Sequence, residues 1–266
     1  MERGTPGRAL VTGASRGIGR AVAAALAGRG WEVIGTCREP RKIAPADRID
    51  GVRYESLDLS SEESVEALAR TVGGVALLIN SAGESPVGPA EELPAEKLHR
   101  HFQVNFFSPV RLAQALLPAM REKGHGTIIF IGSIRGEIAT PFSAAYSASK
   151  AAARSFAENM RMEVQGFGVR VCVVAPWHIR TTLPQEIIAG PASPYADALA
   201  RVKKNRDESI TAAPGPETVA RAVLHLLDSG NPAAFTVVGK PMLTFLMRHL
   251  PRRLVEAATM RTVGLR

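Results

Sequence analysis

Short, unbroken apolar runs alternate along this 266-residue chain with stretches whose apolar residues recur at helical spacing. No other feature limits the possible folds as tightly. Arg8-Ala-Leu-Val-Thr12 reads as a strand, and residues 17–29 as the helix behind it. Residues 32–37 and 52–57 are the next strands. Ser60-Ser-Glu-Glu63 then has a capping-box pattern, and Val65, Leu68, Ala69 and Val72 form the stripe of an amphipathic helix. Residues 75–80 are a fourth strand, 98–123 a long helical segment that Pro109 can bend, and 127–131 a fifth strand. Residues 146–165 are Ala-rich and helical, and 170–175 are the sixth strand. Pro216 opens another helix, with Val219, Ala222, Val223, Leu226 and Leu227 on one face, before a last strand at 235–238. Strands that are apolar throughout are buried on both faces, so a parallel sheet with helices on each side is expected. No repeat and no linker divides the chain. The fold class is therefore α/β: one doubly wound domain of about seven strands over residues 1–266.

Ligands of such sheets sit at the carboxyl ends of the strands, where the strand order reverses. Residues 182–213 are the one long irregular insertion, and loops of that length are usually lids or binding loops. At 45% hydrophobic and 22% charged, the chain is ordinary for a globular protein. No apolar run approaches the roughly 18–20 residues of a membrane span. Residues 1–6 have no apolar core of a secretory leader, and Cys37 and Cys172 lie in strand-like stretches. A reducing, cytoplasmic setting is the expectation. The formal charge is +8, but six basic residues and one acid between Lys240 and Arg266 supply +5 of it. Without a nucleic-acid motif, this balance gives no reason to expect nucleic-acid binding. No metal site is expected either.

The first strand runs into Thr12-Gly-Ala-Ser-Arg-Gly-Ile-Gly19. Glycines at 13, 17 and 19 permit a tight turn, and the following helix offers free N–H groups to a phosphate. A dinucleotide with a free ribose 2′-hydroxyl calls for an acid at the end of the second strand, whereas a 2′-phosphate calls for arginine. That end reads Thr36-Cys37-Arg38, and Arg16 lies in the glycine loop. Two guanidiniums favour NADP(H), since each can pair with phosphate through two hydrogen bonds. Asp58, past the third strand, is either an acceptor for the adenine amino group or an acid favoured by the helix N-terminus behind it.

Tyr146-Ser-Ala-Ser-Lys150 opens the helix after the fifth strand, so the phenol and the ammonium share one helix face. A phenol titrates near pH 10, and an ammonium one turn away favours its phenolate form. Ser133 supplies a hydroxyl at the same sheet edge. Together these residues resemble the short-chain dehydrogenase/reductase family in its single-domain branch. The matching elements are residues 12–19, Asp58, Asn80-Ser-Ala-Gly83, Asn105, Ser133, Tyr146 with Lys150, and residues 176–181, in the family's order over about residues 8–240.

The resemblance implies a Rossmann-type fold and a carbonyl reductase that runs in reverse as an alcohol dehydrogenase. Tyr146 would be the general acid, Ser133 would hydrogen-bond the substrate oxygen, and Lys150 would hold ribose hydroxyls. Asn105 would anchor a water that relays protons through Lys150. For the cofactor it implies Gly13, Ser15, Arg16, Gly17, Ile18 and Gly19 at the phosphates, with Arg38, Asp58 and Leu59 at the adenosine. Asn80, Ala82 and Gly83 would line the ribose side, and Pro176, Ile179 and Thr181 the nicotinamide. The family's Asn-Asn-Ala-Gly is Asn80-Ser-Ala-Gly83 here, and its Pro-Gly is Pro176-Trp177. The indole either shapes the substrate pocket or packs under the lid; His178 meets the substrate or faces solvent. The pocket is expected from Glu84, Arg135, Phe142, Trp177, His178 and Leu183. Leu183, Ile187, Ile188, Tyr195 and Leu199 hint at a lipophilic carbonyl such as a steroid, retinoid or acyl-chain ketone, while Arg135 can instead bind a carboxylate.

The tail, residues 240–266, mixes apolar and basic residues. Such a segment either lies on an anionic membrane surface or covers the pocket or a subunit interface. The family resemblance also implies a homodimer or homotetramer formed through residues 98–123 and 146–165. Two other functions remain: a cofactor-binding sensor or scaffold without turnover, and a peripheral membrane module driven by the tail. The complete set of Asn105, Ser133, Tyr146 and Lys150 argues against the sensor. The glycine spacing and short C-terminal part argue against a sugar-nucleotide isomerase or epimerase.

Overall fold

The computed structural model describes residues 6–181, 183, 185–190 and 192–265. Its strands are β1 (Arg8–Val11), β2 (Glu32–Cys37), β3 (Val52–Ser56), β4 (Leu77–Asn80), β5 (Gly126–Ile131), β6 (Val169–Pro176) and β7 (Phe235–Val238). All pair in parallel, in the order β3-β2-β1-β4-β5-β6-β7. The chain walks outward from β1 to β3, then returns to lay β4 on the other side of β1. The reversal between β1 and β4 is the crevice in which ligands of this architecture bind.

The helices are α1 (Gly17–Ala27), α2 (Glu62–Thr71), α3 (Ala95–Phe102), α4 (Ser108–Glu122), α5 (Ala144–Val164), α6 (Ala196–Thr211), α7 (Glu217–Asp228), α8 (Pro241–His249) and α9 (Arg252–Thr262). Strand side chains alternate faces, and the core divides accordingly. Leu10, Leu78, Ile128 and Val171 pack against α2, α4 and α5. Val11, Ile79, Ile129 and Val174 pack against α1 and α7. Burying each such aliphatic side chain contributes about 1.5–3 kcal/mol.

Three sequence expectations shift. Ser61, not Ser60, caps α2: its Oγ accepts from the Ser64 N–H at 3.1 Å. The expected long helix over 98–123 is α3 and α4 joined by a π-turn at Gln103–Phe107, with Pro109 in the first turn of α4. The widened turn carries Val104 and Asn105 inward. The insertion at 182–213 is not irregular throughout, because it contains the 16-residue helix α6. The apolar signal there is weak: only Leu199 and Val202 of α6 are buried. Thr182, where the expected lid begins, and Arg266, where the tail ends, lie outside the described residues.

The tail folds as α8 and α9. Trp177 Nε1 donates to Thr244 Oγ1 of α8 at 2.7 Å, and Thr244 is itself buried. Arg248 of α8 lies 3.4 Å from Glu137, a carboxylate also paired with Arg154 at 2.6 Å. Among the described residues, no helix is long and apolar enough to cross a membrane.

Candidate active site

A continuous cleft of about 630 Å³ opens along the carboxyl edge of the sheet. The glycine loop forms its floor at one end. Gly13 and Gly17 take φ of 70° and 56°, conformations that favour glycine, and a Cβ on Gly19 would collide with the Gly13 carbonyl. Thr12 Oγ1 stitches this loop to the end of β4, accepting from the Ser81 and Ala82 N–H groups at 2.9 and 3.0 Å. The N-terminus of α1 therefore faces the cleft at the reversal point with backbone close enough for a pyrophosphate.

Of the expected cofactor residues, Gly13, Ser15, Arg16, Gly17, Ile18, Gly19, Arg38, Asp58, Leu59, Ala82, Gly83, Tyr146, Lys150, Pro176, Ile179 and Thr181 line this cleft. Arg16 and Arg38 are exposed there, free to meet a phosphate. Asn80 is the exception. The strand's alternation sends it, like Leu78, toward α4, where it is buried and its Nδ2 donates to the Pro109 carbonyl at 3.4 Å. Asp58 accepts from the N–H and hydroxyl of Ser60 at 2.9 and 2.7 Å. These bonds, the backbone one first, hold its carboxyl below the usual range.

The expected catalytic residues Ser133, Tyr146 and Lys150 line the same cleft. Tyr146 lies in the first turn of α5, and Lys150 Nζ sits 5.8 Å from the centre of its ring. Lys150 is buried and donates to the Ile131 carbonyl at 2.9 Å, which fixes the ammonium at the end of β5. Ser133 caps the short turn after β5, its Oγ accepting from the Arg135 N–H at 3.2 Å. Asn105 stands behind Gly83: its Oδ1 accepts from the Glu84 N–H at 3.0 Å and its Nδ2 donates to the Glu84 carbonyl at 2.9 Å. It thereby locks the loop after β4. His101 and Ser149 complete this buried network, 3.1 and 3.3 Å from the Asn105 amide.

Glu84, Arg135, Trp177, His178 and Leu183 line the other end. Phe142 does not. With φ of 60°, it turns its ring edge-on to Tyr195, 6.2 Å away, beside a separate small hollow. Trp177 borders the cleft, and its indole N–H bonds to Thr244 of α8, an element of the tail rather than of the expected lid. His178 is half-buried on the cleft wall. Burial, then the charges of Arg135, Arg206 and Lys240, pull its pKa down to about 4, so it is neutral at pH 7. Arg206 and Ile210 of α6 also line this end and escaped the sequence reading, as did His101. Among the described residues, no cluster of His, Cys, Asp and Glu is arranged to hold a metal.

The short chain dehydrogenase family model matches residues 8–191. The 3-ketodihydrosphingosine reductase of Bacteroides thetaiotaomicron is 32% identical over 86% of this chain and 87% of its own. A short-chain dehydrogenase from Streptomyces avermitilis superimposes with a TM-score of 0.83 at 33% identity, covering 98% of both chains. A short-chain dehydrogenase from Burkholderia cenocepacia, solved in complex with NADP, gives 0.73 at 28% identity, covering 95% of this chain and 97% of that one. The chain belongs to the short-chain dehydrogenase/reductase family, whose oxidoreductases act on carbonyl and hydroxyl groups of small molecules with a nicotinamide cofactor.

Proposed function

We propose that the protein is an NADP(H)-dependent carbonyl reductase, reversible as an alcohol dehydrogenase, acting on a ketone or aldehyde with a lipophilic skeleton. One observation carries the reading: Ser133, Tyr146 and Lys150 share a single cleft with the glycine loop, and two exposed guanidiniums stand at its far end. The glycine loop at the N-terminus of α1 fits a pyrophosphate, and Arg16 with Arg38 fits a 2′-phosphate. The Burkholderia relative, solved with NADP, supports that preference. Leu183, Ile210, Trp177 and Val104 on the cleft wall support an apolar skeleton, as does the Bacteroides relative, named as a 3-ketodihydrosphingosine reductase.

When bound, the nicotinamide supplies the hydride. Tyr146 gives its proton to the carbonyl oxygen, so hydride plus proton yield the alcohol. The Ser133 hydroxyl donates to the same oxygen and steadies the charge that develops there. The Lys150 ammonium, fixed at the end of β5, is available to ribose hydroxyls. Asn105 keeps the loop after β4 in shape and anchors the water that returns a proton through Lys150. Removing the phenol in Tyr146→Phe should lower turnover about 10²–10⁴-fold, with NADPH affinity nearly unchanged. Retained turnover would sink the assignment.

Phe107 just before α4, Met162 on α5 and Phe167 just past it are exposed, which favours a dimer or tetramer through those helices. The two free thiols fit a cytoplasmic setting. The tail supports a second reading. Met242, Phe245, Leu246 and Leu254 are exposed beside Lys240, Arg252 and Arg253, a combination suited to an anionic membrane surface. Liposome flotation with and without residues 241–266 tests it.

A further inference from the structure

The inward seam of α6 is Leu199, Val202, Arg206 and Ile210, at helical spacing, with an arginine where an apolar residue is expected. Its guanidinium lines the cleft together with Arg135. Arg206 Nη2 donates to Ser85 Oγ at 3.1 Å, while Nε and Nη1 are shut off from solvent and meet no acceptor among the described residues. Arg135 donates from Nη1 to Ser143 Oγ at 3.1 Å. Among the described residues, no carboxylate forms a salt bridge with either. Asp207 is paired with Lys203 at 2.9 Å. Glu84, the acid on this part of the cleft wall, faces Arg100 at 3.8 Å and His101 at 3.7 Å.

Two desolvated cations that repel each other and, among the described residues, touch no carboxylate are a cost to the fold. Burial and the charge of Arg135 pull Arg206 down to about 10, so it is weakened yet still cationic at neutral pH. Burial likewise lowers Arg135. Tyr146 and Asp207 offset this in part for Arg206, and Ser85 and Ser143 accept one hydrogen bond each, while an anion in the cleft would supply the close counter-charge. The third cleft group here, His178, is held neutral and does not compete for it.

We propose that Arg135 and Arg206 form an anion subsite at the substrate end of the cleft, and that the substrate is an oxo compound bearing a carboxylate or phosphate group. The inference rests on the carbonyl-reductase reading and narrows it to an amphipathic substrate. The apolar wall takes the skeleton and the guanidiniums take the acid. Planar guanidiniums suit either oxyanion, with charge-assisted hydrogen bonds.

The test titrates NADPH-loaded protein calorimetrically with hexanoate, hexyl phosphate and the neutral isostere hexanamide. At least one anion should bind about tenfold or more tightly than the amide, an advantage of about 1.4 kcal/mol. Which anion wins separates carboxylate from phosphate. Arg206→Met and Arg135→Met should erase that preference, Arg206→Lys should keep part of it, and NADPH affinity should hold within about twofold in each. Arg206→Met should melt no lower than the wild type, since a residue kept for a ligand does not support the fold. Equal binding of anion and amide, or a preference that survives both Met variants, overturns the proposal. So does an Arg206→Met variant that shifts only the pH profile of turnover, because the guanidinium would then serve Tyr146. Should Arg206→Met fail to fold, Arg135→Met carries the test. The NADPH titration stands apart: its failure strikes the cofactor reading, and the anion titrations, repeated without cofactor, still answer for the two arginines.

Discussion

At the cofactor end of the cleft, the groups that matter are backbone amides and exposed guanidiniums on loops whose shape is dictated by glycine. At the substrate end they are partly buried side chains drawn from the turn after β5, the exit of β6 and the distant helix α6. The first end is pre-shaped, and its charges stay in water until a ligand arrives. The second holds Arg135, His178 and Arg206 at some desolvation cost. Backbone geometry therefore governs one end, and partly compensated electrostatics the other.

This contrast is open to attack, most severely at Gly19. Gly19→Val drives a side chain into the Gly13 carbonyl. It should weaken NADPH about ten- to hundredfold, the equivalent of 1–3 kcal/mol of overpacking, in a fluorescence titration. Undiminished binding would mean that the loop does not rely on close approach. Arg38→Asp should cost about tenfold in NADPH affinity and shift preference toward NADH. An unchanged preference would leave the phosphate to Arg16 alone.

At the other end, His178 couples charge to stability. Its pKa falls from 6.5 unfolded to about 4 folded, so the unfolded chain binds the proton more readily. The neutral imidazole is fully accommodated above pH 6.5, and stability drains away as pH falls from there toward 4. Thermal melts of His178→Gln should lose less between pH 7 and 4.5 than those of the wild type; parallel losses would clear His178 of that role. The smallest effect belongs to Thr244→Val, which removes the acceptor of the Trp177 indole. It should cost about 1 kcal/mol in a denaturant melt and leave NADPH affinity alone. A change in affinity would tie α8 to the cofactor end.

The same contrast explains what was legible in the sequence. Doubly apolar strands, the glycine loop and Tyr146 one turn before Lys150 are local patterns, and local patterns survive in a one-dimensional reading. All seven strands lie within a few residues of their expected bounds. Asn80 misled because the motif names a residue but not the face to which the strand's alternation turns it. Phe142 misled because a positive φ redirects its ring. Helix α6 stayed hidden because its seam is thin and broken by Arg206, so its part in the cleft wall was missed although Glu84, Arg135, Trp177, His178 and Leu183 were named. Asn105 was found by resemblance, but the π-turn that aims it inward leaves no periodic trace.

The most direct test of the central claim is the loss of NADPH fluorescence in a panel of ketones and aldehydes, with NADH run in parallel. The expected result is consumption with one or more carbonyl compounds of apolar skeleton, with or without an acid group, faster with NADPH than with NADH, and alcohol formed in equal amount. NADPH that binds but is never consumed across the panel, or consumption that favours NADH, would contradict it.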